Sequence, residues 1–174
     1  MKKEVVFSMG AILLLLAVIS PVMAAPAQKF QVVLDTKGKT IAPPERTWIT
    51  DGGIEHSFGG VRGGPVYLTI GNGPVIEGTY TESGDLIINH KTGETIVNFH
   101  KMVCEFPGGS FEGSKTMRAL YEIRDGVPVA VAQEQHAVLH GSGIYEGQTL
   151  KIGYDWVLTS PPDPKIYTGV LIVP

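Results

Sequence analysis

The stretch that most restricts this chain runs from Gly141 to Trp156. Gly141-Ser142-Gly143-Ile144-Tyr145-Glu146-Gly147 is a glycine-flanked turn, and Leu150, Ile152, Tyr154, Trp156 and Leu158 then fall on one parity. Thr149, Lys151, Gly153 and Asp155 occupy the other. Successive side chains of a strand point to opposite sides, so this alternation marks a strand with one buried face. Gly109-Ser110-Phe111-Glu112-Gly113, running on to Arg118, repeats the order turn, aromatic, Glu, Gly, strand, and Ile76-Glu77-Gly78-Thr79-Tyr80 is a fainter copy. Recurring glycines predict strands that bend, as strands must when they close on themselves.

The rest of the chain reads the same way. Strands are expected at Phe30–Leu34, Trp48, Ile54–Phe58, Val66–Ile70, Val75–Thr81, Leu86–His90, Thr95–Phe106, Phe111–Arg124, Val127–His140 and Tyr167–Val173. Turns are expected at Gly71-Asn72-Gly73, Ser83-Gly84, Thr92-Gly93 and Asp125-Gly126, the last a strong hairpin signal. Gly59-Gly60 and Gly63-Gly64 predict a bulged segment around Arg62, and Ile41–Glu45 and Ser160–Pro164 read as loops. Pro128–His140 has a helical alternative, with Pro early and Gly141 just past its end; the alternation of Val127, Val129 and Val131 favours a strand. The sum is all-β, an antiparallel up-and-down β-barrel of about eight strands, several too long for a sandwich.

Residues 1–24 read as a signal peptide: Lys2 and Lys3, an apolar run from Ala11 to Ile19, then Val22-Met23-Ala24 before the expected cut. That leaves 25–174 as a single β-barrel domain, secreted or otherwise extracytoplasmic. The apolar run is short for a membrane span. The 174 residues carry 14 Lys+Arg against 17 Asp+Glu, and losing Lys2, Lys3 and Glu4 makes the balance one unit more negative. An acidic chain without basic clusters argues against nucleic acid and anionic membranes as partners. The single Cys104 leaves no internal disulfide, so the core must supply stability.

The motif Gly141-Ser142-Gly143-Ile144-Tyr145-Glu146-Gly147, followed by an amphipathic strand, resembles the Gly-x-Gly-x-aromatic-x-Gly turn of the allene oxide cyclase and dirigent barrel superfamily. The resemblance covers the last two-thirds of the chain. It implies an eight-stranded antiparallel barrel with an apolar lumen, often self-associating, hence a possible homo-oligomer. No functional residue of that family has a matching motif here beyond the turn.

Candidate chemistry is sparse. His136 and His140 have a metal-like spacing on a helix, but on a strand they stand about 13 Å apart and cannot share an ion. No metal site and no cofactor is expected. Gln133 and Gln135 lie on the apolar parity of their strand, where buried amides need partners: a ligand, or each other and the backbone. Tyr121, Tyr154 and Trp156 share an inward parity and would give a cavity flat walls with polar tips. His100 lines up with Met102, Cys104 and Phe106, yet Val97, Phe99 and Val103 on the other parity are apolar too, so the inward face of Thr95–Phe106 stays open. His100 and His56 read as core histidines, with His100 a candidate ligand contact. Arg62 among glycines either caps an anion or is a surface arginine, and Cys104 reads as a buried small hydrophobe.

Catalytic signatures are absent: there is no Gly-x-Ser-x-Gly elbow, P-loop, Cys-x-x-Cys or His-Glu-x-x-His. The expected function is an exported barrel that binds a small apolar or aromatic ligand or serves as an interaction module, more a binder than an enzyme. One alternative is a cyclase or isomerase using His100 or Gln133 in the lumen. Another is an outer-membrane barrel, against which stand missing aromatic girdles and the Val173-Pro174 end.

Overall fold

The computed structural model describes residues 27–125, 127–157 and 166–174, the side chains at 123, 127, 128 and 155–157 apart. The signal peptide expected at 1–24, Leu158 and the loop expected at Ser160–Pro164 lie outside these residues. Every regular element described is a strand: β1 Gln28–Thr36, β2 Lys39–Ala42, β3 Arg46–Ile49, β4 Ile54–Ile70, β5 Val75–Asn89, β6 Glu94–Phe106, β7 Gly109–Arg124, β8 Val127–Gly143, β9 Thr149–Val157 and β10 Ile166–Val173. All pairings are antiparallel.

From β4 to β10 each strand pairs with the next in sequence, as short turns dictate. β1 then pairs with β10 along one edge and with Val66–Ile70 of β4 along the other, so eight strands form a closed ring of hydrogen bonds. β2 and β3 continue β1's side of β4, against Val61–Gly63 and Glu55–Phe58.

Several expectations change. The helical alternative for Pro128–His140 falls, because residues 127–143 form a strand that pairs with β7 along its length and with β9 over Ala132–His140. His136 and His140 are consequently exposed on its outer face. Ser83-Gly84 is no turn. β5 runs straight through it with a register shift against β6, and a Cβ at Gly84 would stand 2.3 Å from the Asn98 carbonyl oxygen. The glycine there is required by close backbone approach. Ile41 belongs to β2 rather than a loop. The recurring aromatic-Glu-Gly order is not a structural repeat: Tyr145-Glu146-Gly147 is the β8–β9 turn, whereas Phe111-Glu112-Gly113 lies within β7.

The core fills the half of the ring beside the β4–β5, β6–β7 and β8–β9 turns. Leu34, Leu68, Met102, Phe111, Leu139 and Leu150 are fully buried there. Each such side chain contributes about 1.5–3 kcal/mol by leaving water. Phe106 meets Phe111 and Tyr145 edge to face at this end, and Phe111 and Tyr145 are tilted against each other with ring centroids 4.8 Å apart. Gly143 makes the closure possible. Its φ is 66°, and a Cβ on it would lie 2.3 Å from the Gly108 carbonyl oxygen.

Candidate functional site

Above the apolar layer the inner face turns polar. On β7 the inward residues run Phe111, Gly113, Lys115, Met117, Ala119; on β5 they run Ile76, Gly78, Tyr80, Glu82, Gly84, Leu86. Lys115 and Glu82 therefore project toward each other across β6. Lys115 Nζ donates to Glu82 Oε2, with both side chains only 3% exposed. Lys115 Nζ also donates to Tyr167 OH at 3.3 Å, and Tyr167 OH donates to Gln135 Oε1 at 2.8 Å. Gln135 Nε2 donates to Tyr154 OH at 2.9 Å. The chain of bonds links β5, β7, β8, β9 and β10. Phe99 of β6 completes the layer, with Lys115 Nζ 4.0 Å from its ring centroid.

Burial sets the protonation of this layer. Desolvation lowers the Lys115 pKa, while the charge and hydrogen bond of Glu82 oppose it and Arg62 lowers it further. Burial raises the phenols of Tyr167 and Tyr80, and the Glu82 charge adds to both, so both stay protonated near neutral pH. Burial, with Glu82 again, pushes the Cys104 thiol up to about 12. A buried ion pair surrounded by neutral donors holds the layer together only while both charges are present.

In the other half of the ring the described residues leave two spaces. A cavity of about 270 Å³ lies between Leu86, Val97, Phe99 and Met117, bordered by Thr40, Ala42 and Arg62. A second space of about 490 Å³ shares Leu86 and Met117 and extends to Ile88, Thr95 and Tyr121. Phe99 thus has the Lys115 ammonium on one side and the cavity on another, which makes the ionic layer the cavity's floor.

The residues expected from the sequence divide. Gln135 and Tyr154 are in the polar layer. Gln133 faces inward and donates to Met117 Sδ at 2.7 Å, and Tyr121 borders the second space. The two amides bond neither each other nor the backbone. Trp156 pairs with Gln133 in register, and its side chain lies outside the described residues. His100 is corrected: it is exposed on the outer face, with Nε2 2.6 Å from Asp85 Oδ2. The cause is a bulge. Phe99 and Met102 are three residues apart, but their β7 partners Lys115 and Gly113 are two apart, so His100 and Lys101 both turn outward. His56 is not a core histidine either; it stacks on Trp48, with ring centroids 5.1 Å apart. His100 and Gln133 occupy opposite faces of the sheet and cannot act on one substrate together.

Lys115 and Glu82 were missed by sequence reasoning. Their signal was a charged residue on an apolar parity in each of two strands, with opposite signs. No protein-family model matches the chain, and neither a curated protein nor a solved structure matches it.

Proposed function

We propose that the closed ring is an eight-stranded up-and-down barrel, and that the protein is exported and holds a small, largely apolar ligand in the open half of that barrel. The pairing of β1 with both β10 and β4 supports the barrel. Lys2-Lys3, the Ala11–Ile19 run and Val22-Met23-Ala24 support export. The ligand reading is carried by the cavity walled by Leu86, Val97, Phe99 and Met117. Its volume of about 270 Å³, continued by about 490 Å³ alongside, suits the ~300–1,000 Å³ of ordinary ligand sites.

The neutral fluorophore N-phenyl-1-naphthylamine tests this. Folded protein is expected to give a saturable fluorescence rise. Val97→Trp, which fills the cavity, is expected to weaken binding about tenfold or more, ~1.4 kcal/mol. No saturable binding to protein shown folded by circular dichroism removes the reading, as does unchanged binding in Val97→Trp.

A further inference from the structure

Arg62 is a cation in the cavity wall that has no ion-pair partner among the described residues. It stands opposite Glu82 in the β4–β5 ladder, and directly opposed residues share a face, so its side chain leaves β4 on the inner side. It is nonetheless exposed, and it borders the cavity. The guanidinium lies near enough to the floor to depress the pKa of Lys115, Tyr80 and Tyr167. Among the described residues Arg62 forms no ion pair.

The nearby anions are already engaged. Glu82 is held by Lys115. The Asp85 carboxylate accepts from the Gly59 N–H at 3.2 Å and sits 2.6 Å from His100 Nε2. Lys115 and Arg62 are thus set against Glu82 and Asp85, and of these four Arg62 alone forms no ion pair among the described residues. Leu86, Val97, Phe99 and Met117 are the large apolar side chains of the wall, and Thr40, Ser57 and Asp85 are its other polar members.

We propose, resting on the cavity reading above, that the ligand is an amphipathic carboxylate: its head taken by Arg62, its apolar body against Leu86, Val97, Phe99 and Met117. The planar fork of a guanidinium matches a carboxylate through two parallel hydrogen bonds, and does so best where water is scarce. A cavity of about 270 Å³ equals about nine water volumes of ~30 Å³, room enough for octanoate, and the space of about 490 Å³ beside it would take a longer chain.

The test competes octanoate and octan-1-ol separately against bound N-phenyl-1-naphthylamine near neutral pH, where octanoate is ionised. Wild-type protein is expected to prefer octanoate about tenfold or more. Arg62→Met is expected to abolish that preference by weakening octanoate about tenfold more than octanol. Arg62→Lys, which keeps the charge without the fork, is expected to retain part of it. Equal displacement by both compounds in the wild type overturns the proposal, as does a preference that survives in Arg62→Met. Should Arg62→Met fail to fold, the wild-type ratio and Arg62→Lys decide: a full preference in Arg62→Lys shows that the fork is not used. Absence of probe binding removes the cavity reading itself, whereas probe binding without a preference for octanoate removes only the carboxylate.

Discussion

Replacing Glu82 by Gln keeps the shape of the side chain and deletes the anion beneath Lys115. The ammonium then keeps Tyr167 OH at 3.3 Å and the Phe99 ring at 4.0 Å, neither of which carries charge. Stranding one partner of a buried ion pair costs about 3–5 kcal/mol. For a domain of this size, each kcal/mol moves Tm by ~2–4 °C, so a fall of roughly 6–20 °C is expected. The deficit carries a pH signature. Desolvation already lowers Lys115, and the loss of Glu82 removes the two largest opposing effects, so its folded-state pKa drops further. Between that value and the unfolded lysine value near 10.4, the unfolded chain binds more protons than the folded one. Stability therefore rises with pH in that window, and the deficit shrinks as Lys115 becomes neutral. Replacing both residues, Glu82→Leu with Lys115→Met, removes both desolvation penalties and is expected to recover most of the loss. The assay is urea unfolding followed by circular dichroism from neutral pH to about pH 10. A Glu82→Gln protein within about 1 kcal/mol of wild type, a deficit that widens with pH, or a double variant as unstable as the two single losses summed would refute the ionic-layer account.

Two further outcomes are expected. Gly143→Ala forces a side chain into a positive-φ turn and toward the Gly108 carbonyl oxygen, and should destabilise by about 1–3 kcal/mol in urea unfolding; a variant as stable as wild type contradicts that closure. Cys104 is fully buried with its thiol pushed up to about 12, so a thiol reagent at neutral pH should label it only on unfolding, and rapid stoichiometric labelling of native protein would contradict its burial.

The strands were legible wherever pairing is regular. Leu150, Ile152 and Tyr154 in β9, and Val131, Gln135, Ala137 and Leu139 in β8, face inward as their parity requires. β6 was illegible for a definite reason. Val97 and Phe99 are buried on one parity, Met102, Cys104 and Phe106 on the other, and the bulge at His100-Lys101 joins the two. Both phases were correct over half the strand, so no single parity could be chosen and His100 was placed on the wrong side. Ser83-Gly84 misled differently. Ser and Gly mark turns, but here glycine answers to the backbone of the neighbouring strand β6, at Asn98. The site followed the same rule. Gln135 and Tyr154 are neighbours in register and stood out together. Glu82 and Lys115 meet across an intervening strand, a relation that exists only once the ring has closed.

Closure also governs how this chain meets other chains. Each strand of the ring has a partner on both sides over most of its length, which leaves little backbone ladder for an incoming strand. Among the described residues, β2 and β3 pair on one side alone, as do Gln28–Gln31 of β1 and residues 127–130 of β8, and Pro43, Pro44 and Arg46 stand at or beside β2 and β3. Resistance to cross-β growth thus depends on the seams of β1. Parting β1 from β10 bares two long, apolar edges at once, so the rate of that event, more than surface composition, sets the tendency to aggregate.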